Sequence, residues 1–93
     1  MLDSFVAIAE AIRNRGTIEG VYGCEQSARI SDNEWDYMNK YGIINAAYKA
    51  IELSKTSNLV KGATHWESVD FGKPYWAKGM KETVRIGKHV FYK

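Results

Sequence analysis

Ala63-Thr64-His65-Trp66-Glu67-Ser68 and Lys88-His89-Val90-Phe91-Tyr92 decide the fold class of this 93-residue chain. Both stretches are short and mix β-branched or aromatic residues with polar ones, a composition that suits strands of five or six residues. Paired antiparallel, they make a small sheet beside whatever precedes them. Between them, Gly72-Lys73-Pro74 is a turn signal, and residues 75–81 read as a helical turn or an ordered loop. What precedes them is helical, so the expectation is a small helix-dominated α+β domain with a minor antiparallel sheet near the C-terminus.

Working outward, residues 4–15 carry Phe5, Ile8, Ala9 and Ile12 at the spacing of one helix face. Asp3 or Ser4 can cap the start, and Gly16 can end the helix in the left-handed conformation. Residues 16–30, with Gly16, Gly20 and Gly23, read as a loop. Ser31-Asp32-Asn33-Glu34 fits a capping box, so a second helix starts near Asp32. Trp35, Met38, Tyr41, Ile44, Tyr48 and Ile51 then recur every three or four residues to about Ser54. Gly42 is the residue that would divide this run in two, because glycine costs about 1 kcal/mol relative to alanine inside a helix.

Ninety-three residues make one small domain with a single modest core. With 45% hydrophobic and 26% charged residues and one proline, the composition is that of an ordinary folded protein. A lone cysteine, Cys24, excludes an intramolecular disulfide framework and a Cys-rich zinc site. No window approaches 18 apolar residues, and the Met1 end lacks the pattern of a signal peptide. The expectation is therefore a chain that is cytoplasmic as synthesised, has no membrane partner, and reaches any outside target only if released by another route.

The net charge of +2 conceals two unlike halves. Residues 1–54 hold five Lys/Arg against eight Asp/Glu (−3), and residues 55–93 hold eight against three (+5). The cationic half also contains both histidines, His65 and His89, and the tryptophans Trp66 and Trp76. Aromatic rings interleaved with His, Glu and Lys can stack on flat ligand faces and exchange hydrogen bonds, which suits a polar, ring-containing polymer. A cationic surface attracts polyanions such as acidic glycans, wall polymers or nucleic acid, although solubility alone also accounts for lysines. Nucleic acid is not the expected partner; binding to it would fall steeply with salt.

Neither His-x-x-x-His nor a Cys/His cluster is present, so no metal ligands and no cofactor are expected. There is no phosphate-binding glycine loop and no Gly-x-Ser-x-Gly elbow. Carboxylates remain as reactive candidates. Glu67 follows His65-Trp66, where an indole could raise its pKa as glycosidic cleavage requires; the plainer reading is a solvated strand carboxylate paired with a lysine. Glu10 lies on the first helix away from Phe5, Ile8 and Ile12, where it could face a cleft or simply pair with Arg13. Tyr75, Trp76 and Tyr92 could stack on sugars or be core aromatics.

The string Val6-Ala7-Ile8-Ala9-Glu10-Ala11-Ile12-Arg13-Asn14-Arg15, with Gly62-Ala63-Thr64-His65-Trp66-Glu67 and Ile86-Gly87-Lys88-His89-Val90-Phe91-Tyr92, resembles the SleB-type cell wall hydrolases. These include spore-cortex lytic enzymes and phage wall-degrading proteins, and Pro74-Tyr75-Trp76-Ala77-Lys78-Gly79-Met80 is similar to the phage branch. The resemblance covers nearly the whole chain and is weakest across residues 24–58. It implies a lysozyme-like domain acting on peptidoglycan, as a lytic transglycosylase, with one glutamate serving as acid and then base.

In that family a helix with Glu-Ala-Arg-Gly-Glu, whose first glutamate is catalytic, precedes the Val-Ala-x-Ala helix. The present sequence begins at Met1-Leu2-Asp3 and offers no residue in that position. Three alternatives stay open: a coding start placed too late, a fragment, or a domain that keeps a glycan-binding cleft without catalysis. An uncovered helix face would then favour a homo-oligomer. The expected site is thus His65, Trp66, Tyr75, Trp76, His89 and Tyr92 as groove residues, with Glu10 and Glu67 as the carboxylates nearest to chemistry. The alternative is a non-catalytic glycan-binding or oligomeric assembly module.

Overall fold

The computed structural model describes residues 2–17 and 30–93. Cys24 and most of the expected 16–30 loop lie outside the described residues. The chain runs α1 (Leu2–Arg15), α2 (Asp32–Lys40), α3 (Ile43–Ser54), β1 (His65–Ser68), 3-10 turns at Val69–Phe71 and Tyr75–Ala77, β2 (Glu82–Ile86) and β3 (His89–Tyr92). It is a small α+β domain, as the pattern change after Gly62 predicts.

The punctuation works as the sequence suggests. Gly16 adopts φ +78° and its N–H bonds to the Ile12 carbonyl at 3.0 Å, closing α1. At α2 the Ser31 side chain accepts from the Glu34 N–H while the Glu34 side chain accepts from the Ser31 N–H, a complete capping box. Gly42, at φ +72°, separates α2 from α3. The helical faces differ from expectation. On α1 the fully buried residues are Val6, Ala7, Glu10 and Ala11, while Phe5, Ile8, Ala9 and Ile12 are only half-buried. The helix lies between α3 and the sheet, and small side chains at Ala7 and Ala11 fit where two neighbours crowd it.

A second correction concerns the aromatic stripe of residues 35–51. Trp35, Tyr41, Tyr48 and Ile51 are exposed, and α2 buries no residue fully. The face of α3 turned inward carries Ala50 and Ser54 instead. These lie four residues apart, and their size suits the close packing of α3 on α1.

The sheet is antiparallel with order β1-β3-β2. The pairing of β1 with β3 matches the expectation; β2 is an additional strand that pairs with the other edge of β3. Central β3 separates two apolar clusters. Toward α1, Phe91 packs with Ala7, Ala11, Val60 and Ala63, joined by Ile8, Trp66, Val84 and Ile86. On the outer face, Val90 and Tyr92 pack with Ala77, Trp76 and Met80. Fully burying a side chain such as Phe91 contributes about 1.5–3 kcal/mol, so the central strand is the energetic hinge of this small core. No described helix is long and apolar enough to cross a membrane.

Candidate functional site

The outer face of the sheet carries the candidate site. Register places His65 opposite Tyr92 and Glu67 opposite Val90. Because strand side chains alternate, His65, Glu67, Val90 and Tyr92 share one face, and Trp66, Ser68, Phe91 and His89 share the other. The turn at Tyr75–Ala77 lays Trp76 over the outer face. Its ring centroid lies 5.3 Å from His65 and 5.6 Å from Tyr92, edge-on to the tyrosine with an interplanar angle of 84°. That geometry is the favourable one for aromatic pairs.

The far end of α1 is tied to the chain just ahead of this face. The Asn14 Nδ2 donates to the Ala63 carbonyl at 2.9 Å, tying the last turn of the helix to the residues that lead into β1. Thr64 N–H in turn donates to the Tyr92 carbonyl at 3.0 Å. The Thr64 hydroxyl and His65 Nδ1 are 2.8 Å apart, which leaves Nε2 as the ring atom available to a ligand. Burial holds the His65 pKa below its ordinary value, and the positive charge of Arg15 adds to the effect. At neutral pH the ring is therefore an uncharged imidazole, able to exchange hydrogen bonds rather than attract anions.

The expected groove residues do not form one groove. His65 and Trp76 stand together and are partly open; Tyr92 joins them but is only 4% exposed, so it steadies the indole and cannot itself stack on a sugar. Tyr75, 91% exposed, projects into solvent next to Trp76. Trp66 belongs to the cluster facing α1, and His89 lies on that same side with a buried Nδ1 that has no hydrogen-bond partner among the described residues. Neighbouring residues of a strand cannot share a face, and this separates His65 from Trp66.

The two carboxylates also part company. Glu67 is half-buried on the outer face, two residues along β1 from His65, and one of its oxygens accepts from the Ser68 N–H at 2.9 Å. No lysine pairs with it among the described residues. Glu10 is 3% exposed and faces neither a cleft nor Arg13. One of its oxygens accepts from the Val60 N–H at 3.0 Å and the other from the Ser57 hydroxyl, so it fastens the segment after α3 onto α1. Both oxygens are committed to structure.

Sequence reasoning passed over Thr64 and the electrostatic influence of Arg15 on His65. Alternation within β1 contains the signal for the faces. The charge of Arg15 acts on His65 only through the way α1 docks, which local pattern does not encode. Neither a family model nor a curated protein or solved structure matches this chain.

Proposed function

We propose that this domain engages peptidoglycan, holding a glycan strand against Trp76 with His65 and Tyr75 beside it, in the manner the resemblance to SleB-type wall hydrolases implies. The carrying observation is the outer-face cluster of His65, Trp76 and Tyr92, in which a buried tyrosine fixes a half-open indole next to an uncharged imidazole. An indole face offers apolar area to the C–H surface of a sugar ring, while His65 Nε2 provides a hydrogen bond to a hydroxyl or acetamido group. Tyr75 extends the aromatic surface by a second, solvent-exposed ring.

Cleavage of the glycan requires a carboxylic acid that protonates the leaving oxygen. Glu67 is the candidate on this face, with one oxygen held by the Ser68 N–H and no other hydrogen bond among the described residues. Glu10 does not take part, because its carboxylate is enclosed. A second reading follows from the same tie between Glu67 and Ser68: a glycan-binding module that does not cut.

Purified cell walls test both readings. The protein is expected to sediment with walls, and Trp76→Ala to weaken sedimentation several-fold while Tyr75→Ala weakens it less. If the domain is an enzyme, wall suspensions clear with the wild type and not with Glu67→Gln, which still sediments. Sedimentation without clearing selects the binding module. Absence of sedimentation, or sedimentation indifferent to Trp76→Ala, overturns the glycan reading.

A further inference from the structure

Beyond Tyr92, on the same outer face, a partly enclosed cavity of about 160 Å³ lies between residues 69–73 and strands β2 and β3. Val69, Val90 and Tyr92 give it apolar surface, and Lys73, Glu82 and Arg85 give it charge. Glu82 and Arg85 reach it together only because β2 is irregular. Residues three apart on a regular strand face opposite sides, but the register shift between Glu82 and Val84 pairs Glu82 with Tyr92 and Arg85 with Val90, turning both outward. Such bulges re-aim side chains and are over-represented next to functional sites.

The charges are unbalanced. Arg85 Nε holds the Glu82 carboxylate at 3.0 Å, which leaves the terminal guanidinium nitrogens free of that contact, and Lys73 forms no ion pair among the described residues. One carboxylate therefore faces two cations above an apolar floor. The matching ligand is a small aliphatic group ending in an anion, with a planar carboxylate preferred because it meets a guanidinium through two parallel hydrogen bonds. A cavity of about 160 Å³ has room for one small residue ending in a carboxylate.

We propose that this cavity receives the C-terminal carboxylate and methyl side chain of an alanine-terminated peptide, of the kind that peptidoglycan carries on its glycan strands. The inference rests on the peptidoglycan reading for the source of the peptide, and on the cavity itself for its chemistry. Tyr92 is the wall common to both sites: its ring supports Trp76 and also lines the cavity. A glycan stacked on Trp76 and a peptide ending beside Arg85 would thus lie on adjacent parts of one face.

Methyl-labelled protein titrated with N-acetyl-D-alanyl-D-alanine, and separately with its C-terminal amide, tests the proposal. The acid is expected to shift the Val69 and Val90 methyl signals saturably, and the amide is not. Arg85→Gln and Lys73→Gln should each weaken the acid about tenfold or more, and Glu82→Gln should tighten it by removing a like charge. Lys73 is exposed, so its variant tests the site without disturbing the fold. Equal response to acid and amide, no response at Val69 and Val90, or displacement by equimolar inorganic phosphate would overturn it. Wall sedimentation that depends on Trp76 alongside a silent cavity sinks this proposal alone. Peptide binding without wall sedimentation sinks the glycan reading alone.

Discussion

Glu10 is the residue whose meaning changed most between sequence and structure. On a helical projection it looks like a polar position away from the apolar stripe, yet it is 3% exposed and accepts hydrogen bonds from the Val60 N–H and the Ser57 hydroxyl. Partners 47 and 50 residues away in the chain are invisible to local pattern. Glu10→Ala strands the buried Val60 N–H and removes the partner of the half-buried Ser57 hydroxyl, an expected loss of about 2–3 kcal/mol in chemical denaturation. Glu10→Gln keeps the shape and one acceptor and should lose about half as much. Wall binding at a temperature where both variants are folded should be unaffected, since Glu10 is remote from the outer face. His65 makes the opposite kind of claim. Its folded pKa lies below the unfolded value of about 6.5, so the unfolded chain binds more protons in the interval between them. Its contribution to stability is complete above that unfolded value and is lost as the pH falls through the folded one. The melting temperature is therefore expected to drop on acidification below neutrality, with a smaller drop in His65→Gln; equal slopes for the two proteins would contradict the assignment.

At the scale of elements, strands β1 and β3 were legible because Thr, Trp, Val, Phe and Tyr are concentrated there, and the helix ends were legible because Ser31, Gly16 and Gly42 have few other uses in such positions. β2 was legible in principle. Val84 and Ile86 alternate with Arg85, and Gly87-Lys88 is a two-residue link to β3. What obscured it is the bulge at residues 82–84, which breaks the alternation just where the strand begins. The helical faces were not legible, because α1 is buried from two sides and α2 hardly at all; periodicity marks an apolar stripe but not which neighbour will cover it. Gly87 supplies the test at this scale. It adopts φ +59° at the first turn position, where glycine suits the twist of a tight hairpin, and an added Cβ would lie 2.5 Å from the Ser4 Oγ. Gly87→Ala thus strains the turn and pushes on α1 at once. A loss of about 1–3 kcal/mol is expected by thermal or denaturant unfolding, partly recovered when Ser4→Gly is added; absence of recovery would separate backbone strain from the contact.

Across the whole molecule, the split between an acidic first half and a basic second half maps onto architecture. The +5 of residues 55–93 comes from the sheet, its turns and the segment leading into it, and Lys73, Lys78, Lys81, Arg85, Lys88 and Lys93 are all exposed. The aromatic cluster that is proposed to hold glycan lies within this cationic region, so attraction and recognition are separable contributions to binding on one surface. Attraction between exposed charges is screened over about 10 Å at 0.1 M salt and about 3 Å at 1 M, whereas stacking on Trp76 depends little on salt. Wall sedimentation should therefore fall as sodium chloride rises from about 0.1 to 1 M and then level off at a residual value. That residue is expected to vanish in Trp76→Ala, while a Lys78→Gln/Lys88→Gln variant should lower binding at low salt and leave the plateau in place. Measured together, the curves divide the surface into its two physical parts. A wild type whose binding falls to zero with salt would assign the interaction to charge alone, and would leave the ring cluster as an element of the core.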